Sequence, residues 1–95
     1  MNIKKSDILK LDKSKYQIID VRDTEEYNSA HIEDALHIPL DQLRNQAKYW
    51  SKEKIYITVC GKGGARSDQA QEILTELGLE SFSLDGGTFG WLTNE

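Results

Sequence analysis

Short apolar runs rich in β-branched residues alternate along this chain with segments whose apolar residues recur three and four positions apart. Tyr16–Asp20 (YQIID), running on into Val21, has the brevity and branching of a strand buried on both faces. Residues 36–38 form a short strand closed by Pro39; Ile55–Val59 and residues 82–84 supply two more. Ser6-Asp7 before ILKL predicts an N-cap and a short helical turn, and Asp23 caps the acidic helix TEEYNSA, whose first-turn carboxylates suit the helix dipole. In LDQLRNQAKYW, Leu40, Leu43 and Ala47 fall at helical spacing. From Ser67 onward, Ala70, Ile73, Leu74 and Leu77 trace one helical face, with Gly78 as the C-cap. Asp85-Gly86-Gly87 then predicts a turn, and TFGWL a last short helix.

Strand and helix alternate from one end to the other. That pattern predicts an α/β fold with a central, mainly parallel sheet of about four to five strands and helices on both faces. Ninety-five residues support one domain, spanning 1–95. A net charge of −4, with no basic stripe interleaved with aromatics, argues against nucleic acid. No apolar run reaches the ~18 residues of a membrane span, and Met1 opens a polar segment rather than a signal peptide, so no membrane is expected and the cytoplasm is the expected compartment. The single cysteine excludes an internal disulfide framework, and it stays reduced in that compartment. His31 and His37 have no clustered carboxylates of metal-ligand type, so no metal is expected.

Candidate chemistry concentrates in CGKGGARS, residues 60–67. Cys60 stands at the carboxyl end of the strand Ile55–Val59, where open α/β sheets bind ligands. Gly61, Gly63 and Gly64 allow a tight curl that turns successive N–H groups into one concavity. The helix behind them adds its positive dipole end, Lys62 and Arg66 add full charges, and no acid interrupts the span between Cys60 and Arg66. A thiol there is expected to ionise more readily than a free one, beside a cradle for tetrahedral anions. That is the equipment for nucleophilic attack on sulfur or phosphorus. Lys62 precedes the glycine pair, which breaks the P-loop pattern, and Arg66 occupies the third glycine position of a dinucleotide fingerprint; no cofactor is implied.

Three segments in order also carry a family likeness: IIDVRDTEEYNSAHIEDALHIPL (18–40), CGKGGARS, and LDGGTFGW (84–91). Together they resemble the single-domain rhodaneses over almost the whole chain, which implies a rhodanese-like three-layer domain and thiol-based sulfur transfer. By that resemblance Cys60 takes the outer sulfur of a small anionic donor such as thiosulfate, or of a persulfide. The loop of Gly61, Lys62, Gly63, Gly64, Ala65 and Arg66 cradles the transferred sulfur. With no second cysteine, an external thiol (glutathione or a protein thiol) or cyanide must collect it. Rhodaneses with a loop arginine usually place four residues between it and the cysteine; here there are five, the C-x5-R spacing of cysteine phosphatases and arsenate reductases. Val59 stands where those loops carry histidine, and Ala65 offers no acid for a leaving alkoxide. A phosphatase or arsenate reductase thus remains the alternative, beside a sulfur carrier or docking module that turns over slowly.

Other polar residues are read more plainly. Asp20 and Arg22 close the first long strand as an ion pair that holds a loop, with support of the cysteine loop as their second reading. His31 as a general base for Cys60 is disfavoured. Lys62 is equally a solvated lysine or a cation facing the incoming anion. Trp50 and Trp91 are packing residues.

Overall fold

A computed structural model describes residues 2–61 and 65–93. The chain runs β1 (Asn2–Ile3), α1 (Lys5–Ile8), a 3-10 turn (Lys13–Lys15), β2 (Tyr16–Asp20), α2 (Thr24–Ser29), β3 (Leu36–His37), α3 (Leu40–Ala47), β4 (Ile55–Val59), α4 (Ala65–Glu76), β5 (Glu80–Leu84) and α5 (Gly87–Thr93). The strands form one five-stranded sheet in the order β1-β5-β4-β2-β3. Every pairing is parallel.

Alternation along the strands divides the interior into two layers. Ile19, Val21 and Tyr56 pack with Leu43 and Ala47 of α3 and Ala70 and Leu74 of α4. Their neighbours Ile18, Ile57 and Val59 point the other way, to Ile8 of α1 and to Ile32 and Ala35 behind α2. Trp91 of α5 closes that second layer, while Trp50 packs on the first and stacks on Tyr56 at 5.1 Å. Helices therefore cover both faces, as the periodicity predicts.

Several boundaries differ from the sequence reading, among them β5, which starts at Glu80 rather than residue 82, and β3, which ends at His37 rather than residue 38. β1 has only two residues, too few to show a period, and exists because Asn2 and Ile3 pair with Ser83 and Leu84 of β5. α1 starts directly after it with Lys4 as N-cap, so Ser6 and Asp7 lie within the helix rather than before it. α4 begins at Ala65, which places Ala65 and Arg66 in its first turn. Asp23 does cap α2, and Gly78 ends α4 at φ +83°.

The chain adds β3 on one side of β2 and then returns to lay β4 on the other. The carboxyl ends of β2 and β4 therefore flank the point where strand order reverses, the usual place for a ligand in such sheets. Asp20 is in register with Val59, and the Val21 N–H donates to the Val59 carbonyl at 3.1 Å. Val21 and Cys60, one residue beyond that pair, leave the sheet alongside each other.

Candidate active site

Cys60 is 6% exposed and free of any disulfide. Its backbone is fixed from the far end of the chain: the Thr88 N–H donates to the Cys60 carbonyl at 2.7 Å, and the Phe89 N–H to the Gly61 carbonyl at 2.9 Å. The start of α5 thereby satisfies carbonyls that leave the sheet at the end of β4. The Phe89 ring lies where a side chain on Gly61 would reach, 3.4 Å from an ideal Cβ.

Beneath the thiol lies a hydroxyl pair. The Cys60 Sγ contacts Ser67 Oγ at 3.6 Å, and Ser67 Oγ shares a 2.9 Å hydrogen bond with Ser83 Oγ. Both serines are buried, and the Thr58 hydroxyl donates to the Ser67 carbonyl at 2.8 Å, tying α4 to β4. With the thiol protonated, sulfur donates weakly to Ser67. With a thiolate, Ser67 can donate to sulfur while Ser83 donates to Ser67. The pair serves either state of Cys60.

Of the residues singled out from sequence, Cys60 and Gly61 directly follow β4, and Lys62, Gly63 and Gly64 lie outside the described residues. Arg66 is turned towards α2. Its Nη1 and Nη2 donate to the two carboxylate oxygens of Glu26 at 3.2 and 3.3 Å, and Asp23 Oδ1 lies 4.0 Å from Nη1. The guanidinium holds the Glu26 carboxyl below its usual range, helped by the Asp23 N–H that donates to Glu26 Oε1. Glu26 in turn pushes the Arg66 pKa up, with smaller contributions from Asp23 and Cys60.

Asp20 and Arg22 are both fully buried, and their charges meet at 2.8 Å. Arg22 Nε donates to Asp20 Oδ1 at 2.9 Å, Nη2 to Asp20 Oδ2, and Nη2 also to the Ala30 carbonyl at 2.6 Å. Among the described residues Nη1 has no hydrogen-bond partner, while the guanidinium carbon sits 5.8 Å from the centre of the Phe89 ring. The ion pair holds the segment after α2, and through Phe89 it also adjoins Gly61. His31 stacks on Tyr27 at 3.9 Å, with its Nδ1 2.8 Å from the Tyr27 carbonyl; His37 stacks on Tyr27 at 4.5 Å.

Sequence reasoning missed Ser67, Ser83, Glu26 and Thr88. Ser81 and Ser83 alternate in ESFSL, which signals a polar stripe on one face of a buried strand. Ser67 directly follows the loop arginine. For Glu26 the sequence offers only an acid in a capping position.

The rhodanese-like domain family matches residues 8–94, and this chain belongs to it. Thiosulfate sulfurtransferase GlpE of Coxiella burnetii is 33% identical over 89 residues, 94% of this chain and 76% of that protein. A stretch of 64 residues is 38% identical to the putative sulfur carrier protein YrkF of Bacillus subtilis, covering 66% of this chain and 34% of that one. Among solved structures, a rhodanese-like domain protein from Staphylococcus aureus superposes with a TM-score of 0.82 at 32% identity, covering 95% of this chain and 89% of that one. Among the described residues, no helix is long and apolar enough to cross a membrane.

Proposed function

We propose that this protein is a sulfurtransferase that carries sulfane sulfur as a persulfide on Cys60. The observation that carries the reading is the thiol at the strand-order reversal, seated on the Ser67–Ser83 hydroxyl pair, in a chain of the rhodanese-like family. The Cys60 thiolate attacks the outer sulfur of thiosulfate or of a persulfide. A new S–S bond forms, the donor's S–S bond breaks, and sulfite or the donor thiolate leaves with the electron pair. An external thiolate, glutathione or a protein thiol, then attacks the outer sulfur of the Cys60 persulfide, and Cys60 leaves as thiolate. The N–H groups of the loop 61–66, with Lys62 in it, would stabilise the bound sulfur. Asp20 and Arg22 hold the neighbouring backbone.

The same C-x5-R spacing suits phosphate or arsenate, and the orientation of Arg66 favours sulfur over that alternative. A phosphatase arginine must be available to a dianion, whereas Arg66 faces two carboxylates. The likeness to a putative sulfur carrier supports a second reading, a module that accepts sulfur once and hands it to a partner. Intact-mass measurement after exposure to thiosulfate and, separately, to cysteine persulfide tests all three. A sulfurtransferase gains one cyanide-removable sulfur on the wild type and none on Cys60→Ser, and turns over with an added thiol. A carrier loads as fast but turns over slowly. Absence of an adduct together with Cys60-dependent hydrolysis of aryl phosphate would overturn the sulfur reading.

A further inference from the structure

The one described cation near Cys60 that the loop motif supplies is outnumbered. Arg66 is bound by Glu26 through both guanidinium nitrogens and approached by Asp23 at 4.0 Å. Counted together, these three side chains bring one positive and two negative charges to the first turns of α2 and α4, just beyond the carboxyl ends of β2 and β4 where Cys60 lies. None is deeply buried: Arg66 is 39% exposed, Glu26 40% and Asp23 83%. The carboxylates are also placed by local structure rather than by chance encounter. Asp23 is the N-cap of α2 and Glu26 its third residue, and Glu26 Oε1 accepts the Asp23 N–H at 3.2 Å, which holds the carboxylate facing Arg66.

From this arrangement we infer that Asp23 and Glu26 are specificity-determining residues that quench Arg66, so that the site selects low-charge persulfides over dianions. On this reading thiosulfate is a poor donor for this protein, phosphate and arsenate are poor ligands, and a persulfide such as cysteine persulfide is the substrate class. The inference rests on the sulfur-transfer reading for its substrate, but its electrostatic core does not. An anion approaching Cys60 meets a mouth whose arginine is already neutralised, and a dianion loses more by this than a species of little net charge. Loop length alone would have assigned the opposite preference.

The test is a charge series that keeps the cap intact. Asn caps a helix as well as Asp does, and Gln retains the oxygen that accepts the Asp23 N–H. Glu26→Gln and Asp23→Asn/Glu26→Gln therefore raise the charge of the trio in two steps. In each protein the rate of Cys60 alkylation by iodoacetate, an anion, is divided by that with neutral iodoacetamide; the ratio cancels effects of folding and of thiol ionisation. The ratio should rise about threefold per step at low ionic strength and flatten in high salt. Adding Arg66→Gln to the double variant should return it towards wild type. Inorganic phosphate should protect Cys60 from iodoacetamide in the double variant at concentrations several-fold below those needed for wild type, and sulfur loading from thiosulfate should accelerate. A ratio that stays flat across the series, in proteins of wild-type circular dichroism, overturns the inference. A rising ratio in a protein that never loads sulfur upholds the charge selection and removes the sulfurtransferase reading instead.

Discussion

Two ion pairs in this protein have the same 2.8 Å separation, Arg22–Asp20 and Arg44–Glu76, and their surroundings predict very different worth. Arg22 and Asp20 are 0% exposed; Arg44 and Glu76 are 53% and 61% exposed. Asp20→Asn keeps the shape of the side chain but leaves a buried guanidinium without its paired carboxylate, and among the described residues Arg22 Nη1 already lacks a hydrogen-bond partner. Breaking one side of such a buried pair costs about 3–5 kcal/mol. A domain of this size is expected to be stable by about 5–14 kcal/mol, so the loss is a large share of the whole. It corresponds to a fall of roughly 15–30 °C in Tm. Glu76→Gln, by contrast, should cost under about 1 kcal/mol, because solvent screens that pair and its side chains are free to separate. Urea denaturation followed by tryptophan fluorescence measures both, with circular dichroism as the second probe. Replacing both buried partners, as in Asp20→Leu/Arg22→Met, should recover much of the loss by removing the stranded charge. If Asp20→Asn and Glu76→Gln fell within about 1 kcal/mol of each other, burial would not be what decides the strength of these pairs.

Three other outcomes follow from the geometry. Ser83→Ala removes the partner that steadies the Ser67 hydroxyl under the thiol, and sulfur loading of Cys60 should slow about fivefold, read by rapid-quench mass spectrometry. Gly78→Ala forces a side chain to φ +83° and should cost about 1–2 kcal/mol in urea melts, whereas Gly61→Ala, outside the left-handed region, should cost less than about 1 kcal/mol. Glu26 has its pKa depressed in the fold, chiefly by Arg66, so its contribution to stability is present above the ordinary carboxylate pKa and lost as pH falls through the depressed value. The stability gap between wild type and Glu26→Gln should therefore be constant near neutrality and close below about pH 4.5.

Much of the architecture is legible in the sequence because its longer elements are decided locally. YQIID and IYITV are short and rich in branched apolar residues, the pattern of interior strands, and the glycine after α4 ends it where the apolar repeat stops. The placement of Cys60 follows from the same logic. What the sequence could not show depends on contacts between distant segments. β1 is a strand only through its pairing with β5. The direction of Arg66 is set by an acid 40 residues away, and a cation next to a cysteine in sequence says nothing about which of the two it serves. Ser67 and Ser83 come together across 16 residues because α4 lies on β5, a packing fact that periodicity alone does not contain.

The bonds from Thr88 and Phe89 to the carbonyls of Cys60 and Gly61 also impose an order on biosynthesis. A ribosome delivers the thiol well before it delivers the helix that fixes the backbone around it. β1 likewise waits for Ser83 and Leu84 before it has a neighbour. The backbone at the thiol is thus completed only by a segment that follows it by 28 residues. Until α5 docks, the carbonyls of Cys60 and Gly61 lack the bonds that fix the backbone around the thiol.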